Sequence, residues 1–177
     1  SGKQGVALAH AAAARGAAVT LVVANIDDGV VAGGPGIEVV HVSTTLELQE
    51  ATLLAAGTAD IVIMAAAVAD YRPETVADSK IKKEAQGDTL DLHLVKNPDI
   101  LRELTAARRE DQLVVGFAAE TEQDRDALLE IARAKAARKG VDYLVVNRVG
   151  WTEGFGADRN SVIVLSGDGD IMAEADG

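Results

Sequence analysis

The sequence contains no cysteine, which excludes disulfides, thiolate nucleophiles and Cys-ligated zinc or iron–sulfur sites. That absence leaves the compartment open, with a cytoplasmic location as the default expectation. Aromatic residues make up 3% of the 177 residues, too few for the stacking platforms that hold single-stranded nucleic acid. Positive charge is also short. Lys and Arg number 17 against 28 Asp and Glu, a formal net charge of −11. A uniform polyphosphate-binding surface is therefore excluded, although a local basic pocket is not, and no nucleic-acid partner is expected. No apolar run approaches the roughly 20 residues of a membrane-spanning helix, so no membrane partner is expected either.

What is present fits a folded globular chain, with 48% hydrophobic and 25% charged residues. A chain of this length buries roughly 70% of its unfolded surface and needs no covalent or metal staple. A single domain is expected over residues 1–170. Both ends read as cut, because Ser1 opens directly onto Gly2 and Lys3 without Met or a signal-peptide pattern. Residues 171–177 carry little apolar material and are expected to fray as a tail.

Helical and strand signals alternate along the chain. Residues 3–15 predict a helix closed by Gly16, and the apolar run 18–24 predicts a strand buried on both faces. A loop with Gly33, Gly34 and Gly36 leads to a strand over 37–42. A helix over 44–56 follows, capped near Ser43 or Thr44 and closed by Gly57. Strands over 61–64, 112–116 and 142–146, with a helix over 121–139, complete the β-α-β rhythm of a parallel sheet covered by helices on both faces. One stretch breaks that rhythm. Residues 79–84, Gly87-Asp88 and 89–95 predict a hairpin arm, about 76–96 in all, in which Leu90, Leu92 and Leu94 form one apolar face. That face must be buried against its own domain or a second subunit.

In an open parallel sheet, ligands bind beyond the carboxyl ends of the strands. The residues there are 25–28, 65–71, 117–120 and 147–148. Ala65, Ala66 and Ala67 let a ligand approach backbone closely, or simply allow tight packing. Asp70 offers a carboxylate to a metal or a sugar hydroxyl, or caps a turn. Lys80, Lys82 and Lys83 in the arm either neutralise phosphate charge or guard an edge strand. Asn97-Pro98-Asp99-Ile100 predicts a helix start, with Asn97 as N-cap and Pro98 at the first helical position. Its N–H groups either bind an anion or serve structure alone.

Lys135 and Lys139 fall on one helical stripe with Leu128, Ile131 and Ala132. Because an unpaired ammonium on a buried stripe is costly, either both lysines snorkel to solvent or the helix end overhangs a cleft where they reach an anionic ligand. Ser1 to Gly5 leads into a helix but is no P-loop, since Gln4 stands where Ser or Thr should follow Gly-Lys. His10, His41 and His93 lack ligand spacing.

Taken together, the ordered motifs resemble the phosphopantothenate–cysteine ligase family, also called phosphopantothenoylcysteine synthetase. They are Ser1-Gly2-Lys3-Gln4-Gly5, residues 65–71 (AAAVADY), 80–83 (KIKK), 97–101 (NPDIL) and 116–121 (GFAAET), the Lys135/Lys139 pair, and Asn147 after the last core strand. The resemblance implies an α/β, Rossmann-like three-layer fold whose hairpin arm makes a homodimer contact. It also implies CTP as a substrate, Mg2+ or a similar divalent cation, phosphopantothenate and cysteine. The reaction implied passes through an acyl-cytidylate with release of pyrophosphate and then CMP. In bacterial members a fused decarboxylase half carries FMN, and that half lies outside this sequence.

By motif, Ala65, Ala66, Ala67, Pro98, Asp99, Ile100 and Leu101 would hold the nucleotide, with Phe117 packed against it. Asp70 would bind ribose or the cation region, Lys80 would be the catalytic lysine, and Lys135 and Lys139 would meet the triphosphate. The family also carries a Gly-rich strand and an Asn-bearing segment ahead of the Ser-Gly-Lys motif, and these do not occur in the sequence. Two other readings stand beside this one. One is a dinucleotide-binding oxidoreductase domain, with Asp27 or Asp28 reading a ribose but no glycine fingerprint. The other is a noncatalytic Rossmann-like module.

Overall fold

The computed structural model describes residues 2–27, 29–31, 33–81, 89–149 and 161–176. In chain order the elements are α1 (Lys3–Ala13), β1 (Val19–Ala24), β2 (Ile37–Val42), α2 (Thr45–Ala56), β3 (Ile61–Met64), β4 (Tyr71–Pro73), β5 (Leu94–Lys96), α3 (Ile100–Ala107), β6 (Leu113–Glu120), α4 (Arg125–Lys139), β7 (Tyr143–Arg148), β8 (Ser161–Ser166) and β9 (Ile171–Asp176). They fall into two compact units. Ser1–Ala67 and Asp99–Gly177 make the first, and Val68–Pro98 the second.

In the first unit, β3, β6 and β7 run parallel, with β6 in the middle. Strands β8 and β9 extend this sheet antiparallel, so the parallel-rich core has a mixed edge. Strands β1 and β2 form a separate parallel pair. The even-numbered side chains of β3, β6 and β7, together with Leu165 of β8, make the core of the large sheet. Val114, Leu144, Val146 and Leu165 are essentially inaccessible. Against them pack Ile100 and Leu104 of α3, and Leu128, Leu129, Ala132 and Ala136 of α4, all buried. Gly116 allows this close approach, since a Cβ there would lie 2.8 Å from Leu101 Cδ2 and 3.3 Å from Leu144 and Val141 carbons. The odd-numbered face is more open, and Ile61, Ile63 and Leu113 are each at least 40% exposed.

Helix α2 starts where the sequence places it. Thr44 Oγ1 accepts the Glu47 N–H at 3.2 Å, and the Glu47 carboxylate accepts the Ser43 and Thr44 N–H groups at 2.8 and 3.0 Å, a reciprocal cap. Its carbonyl end is satisfied from the chain ahead of β6. The buried Gln112 amide donates to the Ala56 and Ala59 carbonyls at 2.7 and 2.6 Å, and Arg109 donates to Gly57 and Ala59.

Two expectations are corrected here. Residues 171–176 do not fray, because β9 pairs with β8. Gly169, at φ 91°, turns the chain, and the Ser166 hydroxyl accepts the Asp170 N–H at 3.1 Å. The Arg125–Glu174 ion pair ties β9 to α4.

The second correction concerns the arm. Residues 79–81 and 89–93 are not strands, and the antiparallel ladder instead joins Tyr71–Pro73 to Leu94–Lys96. Polar side chains set that register. Asn97 donates to the Ala69 carbonyl at 2.8 Å, and Arg72 donates to the Lys96 carbonyl at 3.0 Å and to Asn97 Oδ1 at 3.1 Å. The expected turn at Gly87-Asp88, and Lys82 and Lys83, lie outside the described residues.

Candidate functional site

The strongest chemistry of the first unit gathers where α4 faces the carboxyl end of β6. Asp124 caps α4 by accepting the Ala127 N–H at 2.9 Å, so the helix begins at Arg125, four residues later than the sequence suggests. Its buried stripe is also rotated from the expected one. Leu129 and Ala136 are buried, while Ile131 is 40% exposed. Lys135 and Lys139 therefore sit at the margin of the buried face.

Helical side chains lean toward their own N-terminus. Because α4 begins just beyond β6, this lean carries both ammonium groups toward the carboxyl-end rim, where each meets a carboxylate. Lys135 Nζ donates to Glu120 Oε1, on the last residue of β6. Lys139 Nζ donates to Asp99 Oδ2 at 2.6 Å. The four side chains are largely enclosed, at 27% and 17% exposure for Lys135 and Glu120, and 21% and 37% for Lys139 and Asp99. Neither lysine is the unpaired cation that the stripe implied.

Asp99, rather than Asn97, is the N-cap of α3, and its carboxylate accepts the Arg102 N–H at 3.2 Å. Pro98 consequently precedes the cap instead of opening the helix. Asn97 is buried and occupied within the second unit, as described above. Burial pushes the Asp99 carboxyl group up. The hydrogen bonds from Lys139 and from the Arg102 N–H, with the charges of Lys139 and Arg102, outweigh burial and hold the carboxyl below its ordinary value.

Ala65, Ala66 and Ala67 follow β3 at the same end of the sheet, with Ala66 and Ala67 exposed. Ile100 is a core residue at 2% exposure, and Leu101 covers Gly116. Phe117 lies inside β6, not after it. It is half-buried at an odd-numbered position, so it projects from the face opposite Glu120 and α4. Asn147, in β7 on that odd-numbered face, donates to Gln4 Oε1 at 3.5 Å, which brings the first turn of α1 to this side. The strand pleat thus divides the candidate residues of this unit between two faces.

Asp70 and Lys80 belong to the second unit, where both are exposed. The Asp70 carbonyl accepts the Asn97 N–H at 2.8 Å. Asp27 accepts the Gly29 N–H at 2.8 Å, so its carboxylate is used in its own turn. Ser1 and Asp28 lie outside the described residues.

Among the described residues, no group of three or more His, Cys, Asp or Glu side chains is placed to hold a metal ion. The donor set builds no protein cage. It fits a cation that arrives on phosphate oxygens and takes one or two carboxylates.

Glu120 is the residue that sequence reasoning passed over, although it lies within the 116–121 motif. The signal was the pair of lysines on an apolar stripe, whose charge a nearby carboxylate can also satisfy.

A family model for the DNA/pantothenate metabolism flavoprotein C-terminal domain matches residues 1–175. The chain is 48% identical over 174 residues to the coenzyme A biosynthesis bifunctional protein CoaBC of Mycobacterium tuberculosis, covering 96% of this chain and 41% of that protein. It is 44% identical over 172 residues to CoaBC of Escherichia coli, again covering 96% of this chain and 41% of the relative. The chain thus spans about two fifths of the length of these curated relatives. Among solved structures, the crystal structure of the C-terminal domain of a coenzyme A biosynthesis bifunctional protein CoaBC superposes with a TM-score of 0.72 at 30% identity, covering 99% of this chain and 73% of that one. With the family match running over residues 1–175, the chain belongs to the DNA/pantothenate metabolism flavoprotein C-terminal domain family.

Proposed function

We propose that the chain is a CTP-dependent ligase that joins phosphopantothenate to cysteine in coenzyme A biosynthesis. The observation that carries this reading is the pair of lysines one helical turn apart, directed toward the carboxyl-end rim beside the capped start of α3. Two enclosed cations at that rim suit a polyphosphate, and the names of the relatives place them in coenzyme A biosynthesis.

In the proposed reaction, a carboxylate oxygen of phosphopantothenate attacks the α-phosphorus of CTP. The bond to the bridging oxygen breaks and pyrophosphate leaves, giving an acyl-cytidylate. The cysteine amine then attacks the acyl carbon, the acyl–oxygen bond breaks, CMP leaves and the nitrogen loses a proton. Activation is required because oxide is a poor leaving group from a carboxylate, whereas CMP is a good one.

Lys135 and Lys139 hold the triphosphate. The backbone at Ala65, Ala66 and Ala67 and the Pro98-Asp99-Ile100-Leu101 segment seat the nucleotide, and Phe117 packs against it. Asp70 binds the ribose or the cation region, and Lys80 stabilises charge that builds on the transferring phosphorus. A divalent cation such as Mg2+, when bound, neutralises phosphate charge. A second copy of the chain covers Leu90, Leu92 and Leu94, which are 49%, 65% and 50% exposed. A fused, FMN-bearing decarboxylase half completes the natural protein, which works in the cytoplasm.

The test is pyrophosphate release that requires CTP, phosphopantothenate and a divalent cation together. Lys80→Ala is expected to lower turnover by about 10²-fold or more, as loss of a charge-stabilising donor does, with little change in thermal midpoint. Full turnover in that variant removes Lys80 from the mechanism. Pyrophosphate release without phosphopantothenate removes the ligase reading.

A further inference from the structure

Glu120 has no part in the roles given above. It ends β6, and its carbonyl accepts the Val149 N–H at 2.8 Å, which fixes the strand terminus beside β7. At an even-numbered position it faces α4, and its carboxylate, 17% exposed, accepts from Lys135. An ion pair this enclosed is weakly justified as a stabilising device, since desolvation offsets much of its attraction. A carboxylate beside a cation that receives phosphate also opposes phosphate binding.

We infer that Glu120 is a positioning residue that neutralises Lys135 in the empty site and makes nucleotide binding depend on a divalent cation. This rests on the reading of Lys135 as a triphosphate partner. With the site empty, Glu120 holds the ammonium group at the rim. When a metal-free triphosphate enters, Lys135 turns to phosphate, and Glu120 is left as an unpaired, partly desolvated anion next to more negative charge. That arrangement is unfavourable. When the triphosphate carries a divalent cation, the cation's charge offsets the released carboxylate, either through a shared water or as a ligand. The metal-bearing nucleotide is thereby preferred over the bare one. Glutamine at this position keeps an oxygen for the ammonium to donate to but carries no charge, so it separates orientation from charge.

Calorimetric titration with CTP, once with Mg2+ and once with EDTA, tests this. The native protein is expected to bind the Mg2+ form about tenfold tighter or more, a ratio equivalent to 1.4 kcal/mol. Glu120→Gln should tighten binding in EDTA and shrink the ratio by about fivefold. Glu120→Asp, which keeps the charge, should preserve the native ratio. Lys135→Gln should weaken both forms. If Glu120→Gln does not fold, Glu120→Ala also removes the charge and carries the same expectation for the ratio. An unchanged ratio in the charge-removing variants, with Lys135→Gln still weakening CTP binding, overturns the role of Glu120 and leaves the nucleotide reading standing. Native CTP affinity in Lys135→Gln overturns both.

Discussion

At Asp99 opposing influences meet on one carboxyl group, and the favourable ones prevail. Burial favours the neutral acid, while the Lys139 ammonium and the Arg102 N–H favour the anion, and the folded value falls below the ordinary 3.8. A carboxyl group whose value is lowered by folding contributes stability above its unfolded value. That stability is lost as pH falls through the folded value. Asp99→Asn should therefore destabilise the fold at pH 7, by roughly 0.2–1 kcal/mol, because the Asp99 side of the pair, 37% exposed, is open to solvent screening. The difference from the native chain should close as pH drops below about 4. Urea denaturation at the two pH values measures it, and a gap of equal size at both would show that charge pairing contributes nothing. The same residue shows how far sequence can be read locally. The helix start near 97–100 was legible from Asn-Pro-Asp. Which of the two polar residues caps it was not, because Asn97 is recruited by Ala69 and Arg72, distant in sequence.

Among elements, the contact of α3 with β6 depends on a missing side chain. Gly116 sits beneath Leu101, and the 2.8 Å that an added Cβ would leave is too short for any carbon pair. Gly116→Val should cost about 1–3 kcal/mol through overpacking, read as a lowered thermal midpoint, and a midpoint equal to the native one would mean that α3 shifts freely. Strands β1 and β3 were legible as largely apolar runs, and β2 as a β-branched stretch interrupted by Glu38 and His41. Strands β8 and β9 were not anticipated, although the apolar run 162–165 followed by Gly167-Asp168-Gly169-Asp170 is a hairpin signal in its own right. The arm misled for a related reason. Alternation over 90–94 states which side chains share a face but not which residues pair, and of that run Leu94 alone joins the ladder, opposite Pro73. Phe117 was read as a loop residue since β6 continues through Ala118 and Ala119, residues with little strand preference of their own, held there by pairing with β7.

For the molecule as a whole, the net charge of −11 does not forbid anion binding, because the relevant cations are few and enclosed. None of the described helices is long and apolar enough to cross a membrane. Leu92, 65% exposed, offers a direct test of the proposed homodimer. Leu92→Asp should raise the dimer dissociation constant about tenfold or more, the scale set by uncovering one large apolar side chain. Sedimentation velocity across a dilution series reads this, and a native chain that sediments as a monomer would end the dimer proposal.

Lys135 and Lys139 rise about 6 Å apart along one rigid helix. Two grips on an unbending rod act as a gauge of length. Under the proposed reading, a long anion engages both and a short one only one, so the spent monophosphate is held less firmly than the fuel that preceded it. Loading and discharge would then be two readings of a single ruler.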